Sequence, residues 1–207
     1  MIRSSSVEIW STPPNYWRLV EDLAVEHRAR AAMRELLFAR SLATRAVRQG
    51  LRHPDPAVRI ACCNILDHHL DQAAVPDLIA TLEDANDQVR ARAMHALACD
   101  RCKEGECRPK EDEVVASVMA MLRNDASRRV RQEAAQLLGR LAYRRPEICQ
   151  ALEWTRDRDP DPLVRKIACW YTPGGTIYRR LAPSGKPGTP NGRPIRRPRP
   201  GSLLPRS

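Results

Sequence analysis

The feature that most constrains the fold is a short pattern that occurs four times. Asp55-Pro56-Ala57-Val58-Arg59 runs into residues 60–66, and Asp87-Gln88-Val89-Arg90 into 91–97. Asp125 leads through Val130-Arg131 into 132–138, and Asp161-Pro162-Leu163-Val164-Arg165 into 166–170. The Val-Arg pairs begin at 58, 89, 130 and 164, which gives spacings of 31, 41 and 34 residues. A period in this range marks units too small to bury their own apolar face alone. Such units stack, and each contacts only its neighbours.

Each unit reads as two helices. The first precedes the motif, as in 74–83 and 114–123. The second starts near the Val-Arg pair and keeps apolar residues such as Val89, Ala93 and Leu97 one turn apart. Asp and Pro ahead of it supply an N-cap and a pre-set first turn. The small residue one turn in lets neighbouring helices approach closely. The Asp and Arg at fixed places predict ladders between repeats. Composition agrees: 4% aromatic residues and a single Phe argue against a β-sandwich or barrel.

The core pattern Asp…Val-Arg-x-x-Ala-x-x-x-Leu resembles HEAT repeats of the short, phycobilisome-lyase-like type, as found in bacterial proteins of no assigned activity. The resemblance covers about 39–171. It implies an all-α protein: a right-handed α-solenoid of about four helix pairs whose inner face binds a protein partner. The expected function is a non-enzymatic interaction scaffold. Residues 1–38 then form an N-terminal segment and helical cap. There Trp17, Val20, Leu23 and Ala24 share a helix face, followed by Met33, Leu36 and Leu37.

The 41-residue spacing holds ten residues more than the short one, around 99–110. They give the series His95-x3-Cys99-x2-Cys102-x4-Cys107. His95 and Cys99 share a helix face. Three Cys and one His can complete a tetrahedral, structural zinc site. A shift by one repeat places Asn64 beside His95 and His68 beside Cys99, so His68 is a further candidate ligand. Two other readings stand beside zinc: a reduced thiol cluster capping the helix end, and a redox-active disulfide. Cys62 aligns with the small Ala93 and is read as core. Cys63, Cys149 and Cys169 are also read as buried packers. His27 and His53 are read as surface or cap residues.

The net charge of +10 is unevenly spread. Residues 172–207 carry eight cations, no Asp or Glu, eight Pro and six Gly. This composition predicts a largely disordered tail from about 182, with Ile177 and Tyr178 able to dock. Residues 1–171 are left at +2. Weak, salt-dependent nucleic-acid binding through Arg193, Arg196, Arg197 and Arg199 is the alternative function. A metal-dependent enzyme or lyase-like chaperone is a more distant one. Six of nine Gly lie in the tail, so no phosphate loop is present, and the chain has no Gly-x-Ser-x-Gly or His-Glu-x-x-His motif. Some HEAT-repeat enzymes hold di-iron through His-Glu pairs, and this sequence has none. Asp67, His68, His69 and Asp71 form a carboxylate-imidazole cluster without a matching set in later repeats. With no apolar h-region at the N-terminus and no apolar run of membrane-spanning length, a cytoplasmic location without membrane contact is expected.

Overall fold

A computed structural model describes residues 15–99, 109 and 111–181. Among them every regular element is helical. Helices α1 (Tyr16–Asp22) and α2 (Glu26–Ala39) precede four helix pairs. The pairs are α3 (Thr44–Gly50) with α4 (Pro56–His68), and α5 (Val75–Thr81) with α6 (Asp87–Ala98). The next are α7 (Glu111–Asn124) with α8 (Arg128–Gly139), and α9 (Pro146–Arg158) with α10 (Pro162–Trp170). A short α11 (Thr176–Leu181) follows.

The repeated sequence positions account for this stacking. Val58, Val89, Val130 and Val164 are all fully buried, as are the small residues four places on, Cys62, Ala93, Ala134 and Ala168. The second helices α4, α6, α8 and α10 pack side by side in one continuous layer, while the first helices touch one another little. A row built this way curves with its second helices on the inner side. Gly50 seats against Cys62, where an added Cβ would overlap the sulfur. Burial pushes the Cys62 thiol up to about 12 and raises that of Cys63 as well, so both act as small apolar side chains. Cys169 is exposed, which corrects its reading as a buried packer; Cys149 packs against the core but is only partly buried.

The ladder exists; of the aspartates in the repeated pattern Asp125 is a rung, and the other two rungs are Asp84 and Asp159. Arg59 donates through Nε and Nη2 to both oxygens of Asp84, at 2.7 and 2.9 Å. Arg90 does the same to Asp125 at 2.8 Å, and Arg131 to Asp159 at 2.8 and 3.1 Å. Each rung thus joins one repeat to the loop of the next. The aspartates five residues before the Val are the rungs; those three before it cap helices. Asp55 accepts from the Ala57 amide, and Asp161 from the Leu163 and Val164 amides. Asp87 instead accepts from the Ser127 hydroxyl at 2.7 Å. In the first repeat His53 occupies the rung position, and its Nδ1 accepts from the Asp55 amide at 3.0 Å.

Both ends are closed by extra helices. Val20, Leu23, Ala32 and Leu36 of the N-terminal pair join the core. Val20 and Leu23 bury the predicted face, whereas Trp17, in the first turn of α1, and Ala24, beyond its end at Asp22, are exposed. At the other end Tyr171 lies on Gly139 so closely that an added Cβ would overlap its ring. Ile177 and Tyr178 of α11 pack against the core behind it. The reading of 182–207 as disordered falls outside the described residues.

Candidate functional site

The inner layer brings three side chains together from three successive second helices. His95 on α6 stands between Asp67 of α4 and Glu133 of α8. Its Nδ1 is 2.7 Å from Glu133 Oε1, and its Nε2 is 3.7 Å from Asp67 Oδ2. The Glu133 hydrogen bond raises the His95 pKa above its ordinary 6.5, with further help from the nearby Cys99, Glu133 and Asp67 charges, while burial opposes the rise. Asp67 is buried, and its Oδ1 has no hydrogen-bond partner. A buried carboxylate oxygen without a donor costs stability, so this position is one the packing does not explain.

The sequence placed Asn64 beside His95; the structure places Asp67 there. Neighbouring helices of the layer are offset by about one turn, so the partner of a residue lies three places later on the preceding helix and three places earlier on the following one. The same offset selects Glu133, which the sequence reading missed. A rule that pairs residues three apart between aligned repeats would have found both.

Of the expected zinc ligands, His95 and Cys99 lie one turn apart, with the Cys99 amide donating to the His95 carbonyl at 2.9 Å. Cys99 is buried, and its sulfur lies 3.9 Å from Arg140 Nη1. His68 is half-buried at the end of α4, its ring 6.4 Å from that of His69. Cys102 and Cys107 fall outside the described residues. Among the described residues no group of three or more His, Cys, Asp and Glu is placed to hold a metal ion. The Asp67–His68–His69–Asp71 cluster does not converge: Asp67 faces His95, and Asp71 accepts from the Ala73 amide at 2.8 Å. Arg193, Arg196, Arg197 and Arg199 also lie outside the described residues.

A second surface lies at the N-terminal end of the stack. Phe38 is 88% exposed and Leu42 72%. They flank a groove of about 430 Å³ lined also by Tyr16, Leu19 and Arg34. Between them Arg40 holds a positive φ of 51°. For a residue with a Cβ this backbone costs of order 1–3 kcal/mol, which the surrounding packing has to hold.

Stacked helix pairs, a shared inner layer and an inter-repeat ladder define an α-solenoid repeat protein. A profile described as HEAT repeats matches residues 12–98 and, overlapping them, 44–116, which together span half of the sequence. The chain belongs to the HEAT-repeat family. Among solved structures it is similar to an engineered protein, at 19% identity and a TM-score of 0.48, over 75% of this chain and 77% of that one. It is also similar to a chain of the S. pombe condensin Cnd3-Cnd2 subcomplex, at 21% identity and a TM-score of 0.44. That match covers 76% of this chain and 27% of the condensin chain, so the protein spans about a quarter of that length. A comparison with curated proteins finds no match. Among the described residues no helix is long and apolar enough to cross a membrane.

Proposed function

We propose that this protein is a non-enzymatic scaffold that binds another protein, as HEAT-repeat solenoids commonly do. The observation that carries the reading is the Phe38–Leu42 surface. Two large apolar side chains stand largely in water beside the groove, Phe38 near the end of α2 and Leu42 in the helical turn Arg40–Ala43 that follows it. Contiguous exposed apolar surface of this kind marks interaction sites. The test compares proteins cross-linked to the wild type with those cross-linked to the Phe38→Glu/Leu42→Glu variant. Loss of a specific partner at an unchanged melting curve supports the reading. The same partners in the same amounts would sink it.

Within this reading the cysteine insert is a structural element held by zinc on His95, Cys99, Cys102 and Cys107, with His68 at its edge. The spacing supports this: His95 and Cys99 lie one turn apart, Cys102 follows after two residues and Cys107 after four more, and three Cys with one His can complete a tetrahedron. Metal analysis of protein purified without added zinc decides it: about one equivalent supports the site, and a trace overturns it. Nucleic-acid association through the four tail arginines is the alternative, tested by deleting 182–207 and measuring DNA binding at low salt.

A further inference from the structure

The ladder has one rung more on its arginine side than on its aspartate side. In each rung the Arg first fixes itself to its own loop. Nη1 of Arg59 donates to the carbonyls of His53 and Pro54 at 2.8 and 3.0 Å, and Nη1 of Arg90 to those of Asp84 and Ala85 at 2.8 and 3.2 Å. Nη1 of Arg131 does so to Asp125 and Ala126 at 2.8 and 3.1 Å. This leaves the Nε–Nη2 edge aimed at the next repeat, where a carboxylate takes both hydrogens. Arg165 holds the same pose, with Nη1 on the carbonyls of Asp159 and Pro160 at 2.7 and 3.1 Å. No carboxylate meets its other edge among the described residues. None of the side chains of 162–207 can supply one, because that stretch contains no Asp or Glu.

We infer that Arg165 is a docking point for an Asp or Glu side chain of an acidic partner protein, seated as the missing rung. Three internal copies of the site show the ligand it is shaped for: a planar carboxylate bound by two parallel hydrogen bonds. A guanidinium already fixed by two carbonyls loses little freedom on binding. The charge of this end fits an acidic partner. Arg158, Lys166, Arg179 and Arg180 are exposed on α9, α10 and α11. The aspartates around the loop are engaged: Asp157 by Arg156, Asp159 by Arg131, and Asp161 by the α10 amides. A second copy of this chain does not fit the socket. Its first repeat carries His53 at the rung position, with Nε2 3.6 Å from Glu21 of its own cap, and so would present an imidazole.

The surface is separate from Phe38 and Leu42, and its test is independent of theirs. The full chain, labelled with ¹⁵N, is titrated with N-acetyl hexaglutamate, and the Arg165 Nε–Hε signal is assigned by its loss in Arg165→Lys. The signal should move toward those of Arg59, Arg90 and Arg131. At raised salt, which suppresses diffuse attraction to the tail, Arg165→Lys should weaken peptide binding about five-fold, since Lys keeps the charge but lacks the fork. Arg158→Ala, which removes a charge nearby, should weaken it less than about two-fold, and Phe38→Glu should have no effect. A signal that stays in place while the peptide saturates would overturn the inference. So would equal losses from Arg158→Ala and Arg165→Lys, or an equal response of the signal to a hexathymidylate of similar charge, which would make this a phosphate site.

Discussion

The arginine ladder and the Asp67–His95–Glu133 row lie on the same layer of second helices, and they differ in one respect. The ladder is periodic: the same atoms meet in each of its three rungs, at the same offset. The row occurs once, on a diagonal, with a different residue type from each helix. Periodic contacts are what stacking itself requires, because every repeat has to bind the next in the same way. A non-periodic polar row is not required for stacking, and its buried, unpartnered Asp67 oxygen works against stability. The comparison separates groups that hold the solenoid together from groups specific to this chain.

The largest expected effect belongs to the ladder. Arg131 and Asp159 are both buried, so Arg131→Ala leaves an uncompensated carboxylate and should cost about 3–5 kcal/mol in urea unfolding. If it costs no more than a surface substitution, the ladder is ornamental and the contrast collapses. The row should respond less and with a pH signature. His95 has a raised pKa, so its protonation stabilises the fold fully below the unfolded value of 6.5, and that contribution is lost as pH rises through the folded value. In chelator-treated protein, the stability of the wild type relative to His95→Asn should therefore be greatest in mild acid and fall toward pH 8. Asp67→Asn should cost least, or gain about 1 kcal/mol, at the alkaline end, where the imidazole is neutral. A pH-independent difference would remove His95 from any charged role. The smallest effect is expected at the open rung. Arg165→Ala should cost about 1 kcal/mol in the absence of a partner, because it loses the two Nη1 bonds to the loop carbonyls but orphans no carboxylate.

What the sequence revealed follows the same division. The helix pairs, the buried Val and small-residue positions and the existence of a ladder were legible because they recur. Of the rung aspartates only Asp125 is legible in the pattern; Asp55 and Asp161 sit near the motif as caps, whereas the rungs Asp84 and Asp159 lie three residues before Asp87 and two before Asp161. Glu133 was invisible because its link to His95 depends on the stagger between helices, which no single repeat encodes. Periodicity places Trp17 on the same cap face as Val20 and Leu23, and of these only Val20 and Leu23 are buried.

The contact of Tyr171 with Gly139 sets the boundary of the folding unit. A chain cut after Trp170 would keep the whole fourth helix pair by length and still leave a ring-shaped hollow over α8. The smallest intact piece therefore ends beyond Tyr171, within the segment that α11 covers. The same contact ties two positions together in evolution. Position 139 gains a side chain only if position 171 gives up its ring, so divergent relatives should change both or neither.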